Sequence, residues 1–251
     1  MPKKEWDNIA DNWIRGSELG QDIHRDFMNT PSFLKALPEK TSGQSVIDIG
    51  CGEGTNTRIM ARLGYKMTGA DLCEKFITYA KKKEERDNLG ISYLMTDAAA
   101  LPFEENSFDI AVAFMSFMDM EEPEKALKEA FRIVKPGGFF QFSILHPCFS
   151  PPHGRWLRNN EGLTYGREIG KYFERGGRTM TFSRDDSRDC GVTSYHWLLS
   201  DWLNMLVSSG FSIDAVIEPR PDEDTIRRCP HMEHCLVAPD IIIFRVKKHS
   251  G

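Results

Sequence analysis

The sequence predicts an α/β fold in which a mostly parallel sheet carries helices on both faces. Three observations predict it. Short apolar runs alternate with amphipathic stretches between residues 45 and 145, and parallel strands need crossover helices of this kind. Three of the apolar runs end in an aspartate, Asp48, Asp71 and Asp97, and ligands of open parallel sheets sit at the carboxyl ends of the strands. A fourth run, FDIAVAFMSF, is apolar almost throughout, as a strand covered on both faces must be.

The elements follow in order. Residues 5–37 read as helices, with Thr30-Pro31 as the N-cap and first residue of the second. SVIDIG is a short buried strand. GTNTRIMARLG is a helix with Ile59, Met60 and Leu63 apolar and Gly64 as its stop. YKMTGAD is the second strand, CEKFITYAKKKEERDNL a helix with a charged outer face, and ISYLMTDA the third strand. EPEKALKEAFRIV places Ala126, Leu127, Ala130, Phe131 and Val134 on one helical face, KPGG ends it, and FFQFSIL is the fifth strand. Residues 146–192 break the rhythm with glycine, proline, arginine and aromatics. Within them RTMTFSR is expected to pair with VTSYHWLL around DDSRDCG, as a hairpin of an inserted cap. SDWLNMLVSSGF is a helix with Ser200 as N-cap and Gly210 as stop. SIDAVIEP and DIIIFRVKK close the chain as two strands, with no helix-length pattern between them, so they are expected to pair antiparallel. The expected organisation is a helical lid over 1–40, a core over 41–147 and 193–251, and a substrate cap over 148–192.

Composition narrows the function classes. The net charge of −5 argues against nucleic acid as a partner, because phosphate binding favours a basic field. No run of eighteen apolar residues occurs, and the start MPKKEWDNIADNW lacks an apolar signal core, so neither a membrane nor secretion is expected. The six cysteines are scattered, which points to free thiols and a cytoplasmic protein. CPHMEHC, residues 229–235, crowds two cysteines and two histidines into seven positions. Four ligands that close cannot easily form a tetrahedron, and no metal is expected.

The stretch VIDIGCGEGT carries the chemistry. A strand that stops at a glycine turn and opens a helix brings backbone N–H groups close to a ligand. Asp71, about twenty residues further on at the next strand end, suits a carboxylate that accepts from a ribose diol. The glycines Gly50, Gly52 and Gly54 are spaced more tightly than in the dinucleotide pattern G-x-G-x-x-G. Asp48 would repel a pyrophosphate but suits an ammonium group. Asp97 stands where an adenine amino group can be read. An adenosine with a cationic amino-acid tail fits all three, namely S-adenosyl-L-methionine.

With VIDIGCGEGTNTRIMARLG, GADLCEKFITYA, MTDAAALPFEENSFDIAVAFMSFMDM, ALKEAFRIVKPGGFFQFSILHP and LVSSGF…IIIFRVKK, the chain resembles a class I S-adenosylmethionine-dependent methyltransferase of the small-molecule branch, methyltransferase type 11-like. The resemblance covers most of 45–147 and 198–248. It implies a Rossmann-like seven-stranded sheet with an antiparallel C-terminal hairpin. It also implies that Gly50, Cys51, Gly52 and Gly54 line the methionine tail and ribose, with Asp48 near the amino group. Asp71 would bind the ribose hydroxyls, Leu72 pack on adenine, Asp97 and Ala98 read its edge, and Phe114 and Met115 run beside the sulfur. Trp6 and Trp13 become lid residues.

Methyl transfer from a sulfonium needs positioning and desolvation first, and a base only when the nucleophile must lose a proton. Catalytic candidates are His146 in SILHPCF, and Tyr195 and His196 in SYHWLLS, with Trp156, Tyr172, Phe173 and cap arginines as pocket residues. The first reading is an enzyme, a monomer or homodimer, that methylates O, N or C of a small molecule. The alternative is a non-catalytic S-adenosylmethionine-binding sensor or partner subunit, against which the long cap argues. Glycine spacing and Asp48 count against a nicotinamide oxidoreductase. FMSFMD, in place of an Asn/Asp-Pro-Pro-Tyr/Phe motif, counts against amino methylation of nucleic acid.

Overall fold

The computed structural model of the chain describes residues 2–39, 43–181 and 191–250. A central seven-stranded sheet has the order β10-β11-β5-β4-β1-β2-β3. It comprises β1 (Ser45–Ile49), β2 (Lys66–Asp71), β3 (Ser92–Met95), β4 (Phe108–Phe114), β5 (Val134–Leu145), β10 (Ser212–Ile217) and β11 (Ile241–Lys247). β1 pairs in parallel with β2 and β4, as do β2 with β3 and β4 with β5. β11 runs antiparallel to both β5 and β10. The mostly parallel sheet and its antiparallel finish are the expected ones.

Side-chain alternation divides the core between two faces. On one, Ile47, Ile49, Phe140, Phe142 and Phe244 pack with α5 (Pro123–Ile133) and α6 (Leu199–Ser208). On the other, Val46, Ile110, Val112 and Ile243 pack with α2 (Thr30–Lys35), α3 (Thr55–Arg62) and α4 (Glu74–Asp87) through Phe33, Met60, Ile77 and Ala80. The buried Gln141 on β5 donates from Nε2 to the Phe33 carbonyl at 2.8 Å, which ties α2 to the sheet.

α1 (Pro2–Glu18) crosses from α4 to the cap. Trp6 packs on Phe76 with ring centroids 5.8 Å apart, Lys75 meets Asp11 at 2.6 Å, and Tyr79 donates to Glu18 at 2.6 Å. At the other side, Glu5 accepts from the Thr193 backbone N–H at 2.7 Å. The inserted segment forms two hairpins, β6 (His153–Arg158) with β7 (Thr164–Gly170) and β8 (Gly176–Thr181) with β9 (Gly191–His196). The second hairpin is the expected one, while its turn DDSRDCG falls mostly outside the described residues.

Several local expectations give way to tertiary context. Thr30 lies inside a helical turn that continues from a π-helix (Arg25–Asn29), and its hydroxyl donates to Asn56 at 2.8 Å instead of capping. Ser200 sits one residue inside α6, whose first turn is closed by Asp201 accepting from the Leu198 N–H at 3.0 Å. KPGG is an irregularity within the β4–β5 pairing rather than a connector. The β6–β7 hairpin has too little apolar alternation to be read. Between β10 and β11 the chain forms α7 (Glu223–Arg228) and a 3₁₀ segment (Pro230–Leu236), each too short to show a helical period.

Candidate active site

A cavity of about 1110 Å³ opens at the carboxyl ends of β1, β2, β3 and β4, under α1 and against the cap. Pockets for one small ligand hold roughly 300–1,000 Å³, so this one has room for two ligands side by side. Its wall brings together Asp48, Gly50, Cys51, Gly52, Asp71, Leu72, Asp97, Ala98, Phe114, Met115 and Trp13.

The glycine turn is held from behind. Asp71 accepts from the backbone N–H of Gly52 at 2.8 Å and of Cys73 at 2.8 Å, so one carboxylate fixes both the turn and the start of α4. Gly52 is at φ +56°, and a Cβ built there meets no atom within 4 Å, which leaves its face open to the cavity. Gly54, at φ +83°, is not part of the cavity wall. It caps α3 in the left-handed region, and a Cβ there would stand 2.6 Å from the Tyr93 hydroxyl. Its place in the motif is therefore close packing of turn against sheet rather than ligand contact. At the end of β4, Met115 turns the chain at φ +54° and donates its N–H to the Ser143 carbonyl at 3.0 Å. A bulky residue in that region stores strain of the kind found at ligand sites.

The acids make this end of the cavity electron-rich and dry. Asp48 is 1% exposed; Oδ2 accepts from the Thr57 hydroxyl at 2.6 Å, and Oδ1 has no hydrogen-bond partner in the chain. Burial, with the charges of Asp71 and Glu53, pushes its pKa up to about 7 against the pull of Thr57. Burial also pushes Asp71 up to about 6, although its backbone N–H bonds pull downward. A desolvated cluster of carboxylates with an orphaned oxygen favours a cationic ligand. Together with the open face of Gly52, it fits the sulfonium and ammonium charges of S-adenosylmethionine. Asp97 is exposed at the rim and accepts from the Ala99 N–H at 2.9 Å. Burial raises the Cys51 thiol well above its usual value, so it is a wall and not a nucleophile.

Glu53 and Asp119 were not singled out in the sequence. Glu53 follows the second glycine of the turn and latches the lid. It accepts from Trp13 Nε1 at 3.3 Å, from the Ser17 hydroxyl at 2.7 Å and from Arg25 at 3.4 Å. Asp119, two residues into a 3₁₀ turn after β4, is 7% exposed on the cavity wall. Burial lifts its pKa to about 8 against a hydrogen bond from Ser194. The signal for Asp119 was present, since it is a fourth acid beyond a fourth strand end.

The three expected catalytic residues lie elsewhere. His146 is 1% exposed and faces away from the cavity. Its Nδ1 accepts from the Cys148 N–H at 3.1 Å, so Nε2 carries the proton and donates to Glu218 at 2.9 Å. Both nitrogens are occupied in holding the HP turn. Tyr195 and His196 border a separate crevice of about 20 Å³, too small for a substrate. His196 Nε2 donates to the Tyr172 carbonyl at 2.8 Å, which pins β9 to the cap. Pairing of β9 with β8 sets this orientation and leaves Ser194 as the β9 residue on the large cavity. Trp156 packs under Arg167 at 4.6 Å and beside His234, and neither it, Tyr172 nor Phe173 lines the cavity. Among Cys51, Cys73 and Cys148 only Cys51 lines the cavity, and Cys190 lies outside the described residues.

Among the described residues, no helix is long and apolar enough to cross a membrane. Residues 47–142 match a methyltransferase domain family. An S-adenosylmethionine-dependent methyltransferase from Mesorhizobium loti shares 28% identity and a TM-score of 0.73, over 86% of this chain and 95% of that one. A ubiquinone biosynthesis O-methyltransferase from Coxiella burnetii is 27% identical over 147 residues, 58% of this chain and 62% of its own length. A demethylmenaquinone methyltransferase from Renibacterium salmoninarum is 35% identical over 112 residues, 43% of this chain and 45% of its own length. The chain thus spans less than two thirds of the length of the Coxiella and Renibacterium relatives.

Proposed function

We propose that this chain, which belongs to the class I S-adenosylmethionine-dependent methyltransferases, transfers the methyl group to an O, N or C nucleophile of a small molecule. The single observation that carries this reading is the cavity itself: the glycine turn, Asp71 and an orphaned, buried Asp48 oxygen line one wall, and volume remains for a second ligand. That second space favours an enzyme over a sensor that only holds the cofactor.

When bound, S-adenosylmethionine supplies an activated methyl on a positively charged sulfur. The chain's residues do the rest. Asp71 binds the ribose hydroxyls while it holds the Gly52 turn, Leu72 and Ala98 pack on the adenine, and Asp97 reads its amino edge. Asp48 takes the ammonium group as an added donor for Oδ1. Trp13 and Ser17, fastened to Glu53, close α1 over the turn and exclude water, which strengthens each charge interaction within. The N-terminal segment thus serves, through α1, as the lid, and the cap hairpins as the acceptor wall.

The acceptor side carries Met118, Met120, Pro151, Pro152 and Met180 with Arg178, which suits a largely apolar molecule. The quinone-directed names of the Coxiella and Renibacterium relatives agree with an aromatic or polyprenyl-type acceptor. Asp119 is the proton acceptor we assign to a protic nucleophile, since it is buried on this wall and ionises near pH 8. The working protein is a cytoplasmic monomer or homodimer that needs no nucleic acid. The test is methyl-labelled S-adenosylmethionine incubated with a fractionated small-molecule extract. Transfer into an apolar fraction supports the reading, and binding without transfer into any fraction supports the sensor.

A further inference from the structure

The segment CPHMEHC is not among the residues assigned to the cofactor, yet its His231 lines the same cavity. The 3₁₀ segment buries Met232 and Cys235 with Cys229, Met28 and Ile241. This packing delivers His234 to Asp240, the residue just before β11. His234 Nε2 stands 2.7 Å from Asp240 Oδ2, and His24, from the helical turn that leads into the π-helix, places Nδ1 4.0 Å from the same oxygen. The ligand atoms of the three residues all lie within 4.8 Å of one another. His24 and Asp240 both line the cavity.

The hydrogen bonds around His234 define what can sit there. Its Nδ1 faces the His231 carbonyl at 2.9 Å. A carbonyl only accepts, so Nδ1 carries a proton and a neutral ring presents a lone pair at Nε2. That lone pair points at a carboxylate oxygen, which is also an acceptor. Two acceptors 2.7 Å apart require a cation between or beside them, either a proton or a metal ion. A histidine whose outer N–H is held by a backbone carbonyl is the arrangement that orients metal ligands. Asp240 is fixed as well: the Cys235 thiol donates to Oδ2 at 3.4 Å, and the Asp240 carbonyl accepts from the His146 N–H at 2.8 Å.

We propose that His24, His234 and Asp240 form a binding site for one divalent transition-metal cation of the zinc class, with an open coordination position toward the acceptor side of the cavity. Ligand bonds of roughly 2.0–2.2 Å in a tetrahedron place ligand atoms about 3.3 Å apart. The 2.7 Å contact therefore opens slightly and the 4.0 Å contact closes. His24 supplies that movement, because its side chain is 48% exposed whereas those of His234 and Asp240 are 11% and 16%. Three protein ligands and a free fourth position are the pattern of catalytic rather than structural zinc. An oxygen or nitrogen of the acceptor bound there would be oriented and made more acidic. Metal binding itself is independent of the methyl-transfer reading, since its ligands are not those assigned to the cofactor, whereas the contact with the acceptor rests on that reading.

The test uses the full chain after removal of metal by a chelator. Zn²⁺ is titrated by calorimetry, and Co²⁺ by its visible absorption, which is stronger in tetrahedral than in octahedral sites. One equivalent of Zn²⁺ is expected to bind. His24→Ala, at an exposed position whose thermal midpoint should match the wild type, is expected to weaken binding at least tenfold and to remove the tetrahedral cobalt spectrum. Asp240→Asn should do the same. His231→Ala, which keeps the backbone carbonyl, should bind as the wild type does. Absence of saturable Zn²⁺ binding overturns the proposal, as does equal affinity in His24→Ala and the wild type, or a loss in His231→Ala as large as in His24→Ala.

Discussion

Replacing Gly52 with alanine separates ligand contact from folding at the glycine turn. The added Cβ meets no atom of the chain within 4 Å, so the cost to stability is the left-handed φ of +56° alone. That cost is about 1–2 kcal/mol, which in a chain of this size lowers the melting temperature by roughly 2–8 °C. The methyl group stands on the open face of the turn, where the ligand must approach. S-adenosylmethionine affinity is therefore expected to fall at least tenfold, or about 1.4 kcal/mol. Gly54→Ala is the matched contrast. Its Cβ would stand 2.6 Å from the Tyr93 hydroxyl and 2.9 Å from Arg58 Nη1, at φ +83°. Strain and overpacking together cost about 2–4 kcal/mol. Thermal unfolding without ligand, paired with calorimetric titration of S-adenosylmethionine, reads both effects. Wild-type affinity in Gly52→Ala, or a destabilisation as large as that of Gly54→Ala, would refute the assignment of the open face of the turn to the ligand.

Three further outcomes follow from the geometry. Asp119 holds a proton in the folded state up to about pH 8 but releases it near its ordinary value of 3.8 when unfolded. Its contribution to stability is complete below pH 4 and is lost as pH rises through 8, a change on the order of a few kcal/mol. Asp119→Asn should flatten that part of the pH–stability curve and also remove the rising limb of kcat/KM toward pH 8; an unchanged curve refutes the assignment. Glu53→Ala should release α1, with faster proteolysis within residues 2–18 and cofactor affinity lower by about tenfold, because three lid contacts are lost together. Unaltered proteolysis would show that Glu53 is no latch. His146→Ala should lower stability by about 1–3 kcal/mol through the Cys148 and Glu218 bonds while turnover stays near normal, and a large loss of kcat at unchanged stability would restore a catalytic role.

The fold and the cofactor end were legible because they depend on local rules. Strand periodicity, a glycine turn and an acid at a strand end are read from neighbouring residues, and Asp48, Asp71 and Asp97 did converge on one cavity. The acceptor end was not legible, since it is made by tertiary packing. Whether His146 or Asp119 faces the cavity is decided by the turn that leaves each strand, and both belong to short apolar segments with no period to count. Glu53 looked like an ordinary member of the glycine turn, because its partners Trp13, Ser17 and Arg25 are 28–40 residues away. The absence of a metal was expected from CPHMEHC considered alone. The structure instead joins His234 to His24 and Asp240, which no spacing within that segment can reveal.

We propose that this glycine turn and Asp71 bind S-adenosylmethionine. Calorimetric titration into the wild type and Asp71→Ala tests it most directly. One equivalent should bind the wild type, and the variant should bind at least a hundredfold more weakly, about 2.7 kcal/mol. That loss corresponds to one or two hydrogen bonds to a charged group at about 1.5–3 kcal/mol each. Equal affinity in the two proteins, or no saturable binding to the wild type, would contradict the account.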